Sequence, residues 1–245
     1  MRTALVFACV LIACKRGPSV DEAVAEVGAQ VGAKLEVSKA IAAAVASVDG
    51  KVAYRGPPLQ ATDYQAHHTV FGNAVLVYAT DLQRIDDVAR APDVSYRVAG
   101  SDALIDCYYA IRKRVAFSRA SMTLDPIVSG KQPEAYCDSV IHADKLVVVV
   151  VHDGGAAMPG DALPGGDPGT YSGGGAADGA LLVFDFGTGK YLGARTYHAA
   201  QSATVAYATK RGGNDTDRVF AQADALKSDL EQRISGAIRD ALAGR

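Results

Sequence analysis

The strongest apolar signal in the chain is the run at residues 145–151, Lys-Leu-Val-Val-Val-Val-Val. It is β-branched and does not alternate with polar residues, so both faces of the strand it predicts are buried and its place is at the centre of a sheet. Residues 73–80 (NAVLVYAT) predict a second strand. Residues 180–186 and 190–198 predict two more, joined through Phe186-Gly187-Thr188-Gly189 as a hairpin. Residues 94–98 and 204–209 read as shorter extended pieces.

The helical period appears elsewhere. Val219, Ala223, Leu226, Leu230, Ile234, Ala237 and Ala241 recur at three and four residues, which predicts an amphipathic helix over 217–243 capped by Asp215 or Thr216. Ser101 opens a helix over 101–115 whose apolar face is Leu104, Cys107, Tyr108, Ile111 and Val115. Ser19 and Glu22 form a capping-box pattern. Val20, Val24, Val27, Val31 and Leu35, then Ile41, Val45 and Val48, predict helix over 20–48, in one piece or two. Gly28 and Gly32 each cost that helix about 1 kcal/mol relative to Ala. Residues 82–90 suggest a short helix. The fold class expected is α/β or α+β: one mixed sheet of about four or five strands, helices packed against it, an N-terminal helix and a C-terminal amphipathic helix.

Residues 154–179 hold ten Gly and three Pro, so the stretch at about 153–179 is expected to be a disordered loop inside a single domain spanning 20–245. Its Asp153, Asp161, Asp167 and Asp178 match neither an EF-hand nor a Gly-rich calcium repeat. Composition adds little more. Hydrophobic residues make up 49% of the chain, enough for a core, and the net charge of −2 gives no general pull toward nucleic acid.

The N-terminus changes the picture most. Arg2 precedes an apolar or small run over residues 3–13, too short for the roughly 20 residues a membrane span needs. The run ends in Leu11-Ile12-Ala13-Cys14 and turns abruptly polar at Lys15-Arg16-Gly17-Pro18. This stretch resembles the lipobox of bacterial lipoproteins. The resemblance implies a signal peptide over 1–13, cleavage before Cys14, diacylation of the Cys14 sulfur and a lipidated tether over 14–19. Two or three acyl chains anchor a protein stably, at about 0.8 kcal/mol per buried methylene. The expected place is the bacterial cell envelope, and Lys15 after the cysteine favours the outer membrane over the inner. With Cys9 in the signal and Cys14 lipidated, Cys107 and Cys137 remain as an even pair in an oxidising compartment, and a disulfide is expected between them. Two buried thiols, or a redox or metal pair, are the alternatives.

Candidate chemistry is sparse. Gly187-Thr188-Gly189-Lys190 is not a phosphate loop, because Phe184 stands where the earlier Gly belongs, Tyr191 follows the Lys, and a strand rather than a helix comes next. The cluster Arg112, Lys113, Arg114 and Arg119 fits a solvated helix end. His67 and His68 are adjacent on an extended chain and point to opposite sides. His152 and Asp153 stand where the buried strand meets the Gly-rich stretch. With His142 or His198 they would form the site of a hydrolase or metal-dependent enzyme. No nucleophile elbow or zinc motif accompanies them, so neither a metal nor another cofactor is expected. Asp185-Phe186-Gly187-Thr188-Gly189-Lys190 resembles the D-x-x-T-G-K hairpin of several envelope lipoproteins, among them activators of penicillin-binding proteins and the curli secretion lipoprotein. That resemblance implies an α/β lipoprotein acting by contact with an envelope protein or the cell wall, and it transfers no functional residue. A non-catalytic binding or assembly module is therefore the leading expectation, the His152/Asp153 enzyme the alternative, and a small-ligand carrier a third.

Overall fold

In a computed structural model, the chain is described over residues 20–61, 63–64, 69–70, 72–85, 103–105, 107–108, 133–155, 170–172, 175–202, 204–207 and 215–245. Four strands form the main sheet, in the order β3 (Ala74–Tyr78), β4 (Lys145–Gly155), β6 (Ala176–Asp185), β7 (Tyr191–Ala200). β3 runs parallel to β4, and the other neighbours are antiparallel. Two short pairs lie outside this sheet. β1 (Asp63–Tyr64) pairs with β2 (Thr69–Val70), and β5 (Thr170–Ser172) with β8 (Thr204–Ala206). The helices are α1 (Val20–Ala44), α2 (Ala79–Gln83), α3 (Pro133–His142) and α4 (Asp215–Ala243). The fold is thus α plus β around one mixed sheet, with an N-terminal and a C-terminal helix.

β4 occupies the inner position that its sequence demands. Leu146, Val147, Val148 and Val149 are all buried because both faces of the strand carry a core. Leu146 and Val148 join Val75, Val77, Leu182 and Phe184 beneath α1 and α3. Val147 and Val149 join Leu76, Tyr78, Leu181 and Val183 beneath α4, which contributes Leu230, Ile234 and Ile238. Full burial of each such side chain is worth about 1.5–3 kcal/mol. A run without alternation is what a strand between two cores requires.

Cys107 and Cys137 are joined by a disulfide, with Cα atoms 4.9 Å apart, in the core under α1 and α3. Lys34 ties α1 to α3. Its Nζ donates to the Ala143 carbonyl just past the end of α3 (2.9 Å) and lies 4.4 Å from the centre of the Phe186 ring. A cation at a helix C-terminus suits the helix dipole. Burial nevertheless lowers the Lys34 pKa, against the opposing pull of Asp144 and Asp185.

Several expectations are corrected. The helix expected over 20–48 is a single α1 that tightens after Ala44 into a 3-10 turn over Val45–Ser47, which agrees with the one-piece reading. α2 begins at Ala79, directly after β3, rather than at residue 82. The Gly-rich stretch is shorter than its composition implies, since β4 continues to Gly155, Thr170–Ser172 is a strand and β6 begins at Ala176. Gly and Ala suit this stretch because its surroundings are close: Ala177 is buried, and a Cβ on Gly179 would collide with the Val150 carbonyl oxygen and the Tyr197 side chain. Val219 was expected on the packed face of α4 but is 49% exposed, and the buried stripe begins only at Gln222. Residues 103–105 and 107–108 are helical, while the rest of 101–115 lies outside the described residues. So do the signal and tether with Ser19, His67, His68, residues 94–98, and Arg112, Lys113, Arg114 and Arg119.

A strap links the two edges of the sheet. After α1 the chain meets β7, where the Tyr54 amide donates to the Ala194 carbonyl (2.8 Å) and the Ala194 amide donates to that of Val52 (2.6 Å). It then passes the end of α4, where the Leu59 amide donates to the Leu242 carbonyl (2.8 Å), and reaches β3 at the Ala61–Ala74 bridge. Gly193, at φ +129°, lets β7 approach this strap. A Cβ there would lie 2.7 Å from both Tyr54 Cα and Tyr54 N.

Candidate functional site

The structure keeps His142 away from His152. His142 is the last residue of α3 and sits at the start of β4, whereas His152 is near the far end of that strand. The seven steps along the strand from Lys145 to His152 span about 23 Å. The β4–β6 register slips between Val151 and Asp153, so His152 falls at the irregularity and is exposed. Asp153 is in register with Asp178, and Asp178 with His198, which puts the three positions in one row across β4, β6 and β7. In that row His198 Nδ1 lies 2.6 Å from Asp178 Oδ1. Both side chains are exposed, at 66% and 56%. His198 therefore meets an aspartate that the sequence reading considered only for calcium, and not the other histidines. Among the described residues no group of three or more His, Cys, Asp and Glu is placed to hold a metal.

The Gly-Thr-Gly-Lys turn is organised by Asp185. Its Oδ1 accepts hydrogen bonds from the Gly187 amide (3.1 Å), the Thr188 amide (2.9 Å) and the Thr188 hydroxyl (3.0 Å). Its Oδ2 lies 3.3 Å from Lys145 Nζ. The Thr188 hydroxyl and amide, helped by Lys145 and Gly187, hold the Asp185 carboxyl below its usual range. The turn binds its own backbone and presents no anion cradle.

The more distinctive feature is the flank formed by β7 and α4. β7 is an edge strand. Antiparallel pairing alternates inward and outward backbone groups. Ala194 points outward to the strap and Gln201 inward to Gly175, so Thr196, His198 and Ala200 also point outward. Among the described residues no backbone partner meets these three. α4 runs antiparallel beside this free stretch and is fixed at both ends. At one end Arg195 Nη1 donates to the carbonyls of Ala241 and Leu242, both at 2.6 Å, and its guanidinium lies 5.1 Å from the centre of the Tyr54 ring. At the other, Gln201 Nε2 donates to the Leu226 carbonyl (2.7 Å), and the Ser202 amide and hydroxyl donate to Asp229 (2.8 and 2.6 Å). Gly244, at φ +80°, closes the helix by donating to the Ala241 carbonyl.

Between these two clamps lies an open groove of about 510 Å³. Thr196, His198 and Ala200 line one side, and Arg233, Gly236, Ala237 and Asp240 the other. Tyr197 lies beneath the helix, and burial, reinforced by the Asp178 charge, pushes its hydroxyl pKa up to about 12. The chain matches no known protein family, no characterised protein and no solved structure. The site has therefore to be read from its own geometry. No sequence signal marked this groove, because it is made by the edge position of β7 and by the side on which α4 packs. Among the described residues no helix is long and apolar enough to cross a membrane.

Proposed function

We propose that this chain is a lipid-anchored lipoprotein of the bacterial envelope, tethered through acyl chains on Cys14, and that it works as a binding module through the flank formed by β7 and α4. The lipobox resemblance at Leu11-Ile12-Ala13-Cys14 supports the anchor. The observation that carries the binding reading is the open groove beside an unpaired sheet edge, framed by Arg195 at one end and Gln201–Ser202 at the other. α1 begins at Val20, so the tether from Cys14 spans at most about 20 Å and keeps the domain close to the membrane surface.

Two measurements test this. Cells are fed an alkyne analogue of palmitate, and the protein is followed in membrane and soluble fractions. The wild type is expected to take up label and sediment with membranes, and Cys14→Ala to lose both properties. A Cys14→Ala protein that stayed on membranes would overturn the anchor. A photocrosslinking residue is then placed at Gln232, beside the groove, or at Glu36, on the exposed side of α1. A discrete adduct from Gln232 alone is expected. Equal adducts from both positions, or none from Gln232, would overturn the binding reading.

A further inference from the structure

We infer that Asp153, Asp178 and His198 together hold a divalent transition-metal ion of the Zn²⁺ type, on the sheet face turned away from α4. This site lies apart from the groove and stands independently of the binding reading above. The first support is register. Asp153 is paired with Asp178 and Asp178 with His198, so the three positions stand side by side on β4, β6 and β7. Directly opposite residues have Cβ atoms about 4.5–5.5 Å apart, close enough for their donor atoms to reach one ion. On β6, Ala180 and Leu182 pack into the core beneath α1 and α3, while Leu181 and Val183 pack beneath α4. Strand alternation therefore puts Asp178 on the face of Ala180. The slip between Val151 and Asp153 is what brings Asp153 to that face. Val151 is opposite Gly179, on the α4 face, and unbroken alternation would have kept Asp153 there with it. A bulge that re-aims a residue in this way is common beside functional sites.

The second support is charge. Like charges directly opposite one another destabilise a sheet, and here two aspartates are opposed. His198 Nδ1, 2.6 Å from Asp178 Oδ1, can bring at most one positive charge to the pair. The same-face neighbours of the row on β6 and β7 are Ala176, Ala180, Thr196 and Ala200, none of which is a cation. A divalent ion balances the two carboxylates where none of these neighbours does. The third support is the donor set. Two carboxylates and an imidazole suit Zn²⁺ and its first-row relatives, whereas Ca²⁺ takes about six to eight oxygens. As they stand, no three described side chains converge on one point. The ion therefore draws its ligands together rather than entering a finished cage. Asp178 and His198 are exposed, so they are free to turn. Tetrahedral bonds of about 2.0–2.1 Å set neighbouring ligand atoms roughly 3.3 Å apart, so the 2.6 Å contact needs to open by about 0.7 Å to admit the ion.

The test uses the metal-free full chain carrying Cys14→Ala, titrated with zinc chloride in a calorimeter. One Zn²⁺ per chain is expected. Asp153→Asn, Asp178→Asn and His198→Ala should each weaken binding by about tenfold or more. His142→Ala, beyond the opposite end of β4, should leave it unchanged. Co²⁺ bound in place of Zn²⁺ should show the visible bands of an ion held by oxygen and nitrogen. A sulfur charge-transfer band would instead assign the metal to Cys9 and overturn the site. In the metal-free protein Asp153→Asn should melt at or above its parent, because it removes one of two opposed charges, and a lower melting temperature would overturn the charge argument. Binding that survives in all three variants, or Ca²⁺ held more tightly than Zn²⁺, would overturn the assignment, as would a folded parent that binds no Zn²⁺. None of these outcomes bears on crosslinking at Gln232, so the metal site and the binding reading fail separately.

Discussion

Gly193→Ala is the sharpest probe of how the strap holds the sheet. The added methyl would sit 2.7 Å from Tyr54 Cα and N and 2.8 Å from the Ala53 carbonyl carbon, all backbone atoms that cannot rotate away. The residue is also at φ +129°, where a side chain adds strain of about 1–3 kcal/mol. Relief requires the strap to lift off β7. That breaks the two bonds between the strap and Ala194, each worth about 0.5–1.5 kcal/mol. It also separates Tyr54, now 9% exposed, from the Arg195 guanidinium. Together these losses come to about 2–6 kcal/mol, a large part of the stability of an ordinary domain. Urea unfolding of the Cys14→Ala background measures the change, and amide exchange at Tyr54 locates it. Gly236→Ala serves as the control, since its Cβ meets nothing and Ala favours a helix by about 0.8–1 kcal/mol. A Gly193→Ala protein within 0.5 kcal/mol of its parent, with Tyr54 exchange unchanged, would refute the reasoning.

Asp185→Ala removes three hydrogen bonds from the hairpin turn and should cost about 1–3 kcal/mol by chemical denaturation. Because the folded-state pKa of Asp185 is depressed, its contribution is present above the unfolded carboxyl pKa and is lost as pH falls through the folded value. The Asp185→Ala variant should accordingly show a shallower loss of stability in acid. Tyr197 behaves oppositely. Its pKa is raised to about 12, so its contribution is complete below pH 10 and is lost as pH rises toward 12. Tyr197→Phe should flatten that alkaline decline, as read by thermal melts across the range. Replacing Cys107 and Cys137 together by Ser opens a bridge with a sequence separation of 30 and should lower stability by about 3–4 kcal/mol. Non-reducing mass spectrometry of the parent should show the pair oxidised.

Much of the fold could be read from residue patterns, and the reasons are specific. The run at 145–151 predicted a central strand because five consecutive valines have no polar face to expose, and β4 lies between two cores over Leu146–Val149, although Val151, the last of the valines, is 41% exposed. The hairpin was legible because two glycines and Asp185 crowd the short connection between β6 and β7. The end of the Gly-rich stretch was not legible. Ala176 to Gly179 carry little apolar surface, and their strand is held by register with β4 and β7. The first turns of α4 were misread for a related reason. Val219 continues the helical period, but the sheet no longer lies beneath it. The separation of His142 from His152 was not legible, because sequence distance hides both the length of β4 between them and the bulge at His152. The groove had no motif at all, since which strand forms the edge is decided only when the sheet is assembled.

The strap also sets an order of events. Two of its three attachments join residues that are far apart in sequence, Tyr54 with Ala194 and Leu59 with Leu242, while the third, Ala61 with Ala74 beside β4, is local. During synthesis the N-terminal portion emerges first, yet two of its docking partners lie in the last 52 residues of the chain. Contacts of such long range are slow to form. The strap is therefore expected to close late, sealing β7 and α4 after the sheet has formed, and a chain cut short before residue 242 would keep its strands and the attachments at Ala194 and Ala74 but lose the one at the end of α4.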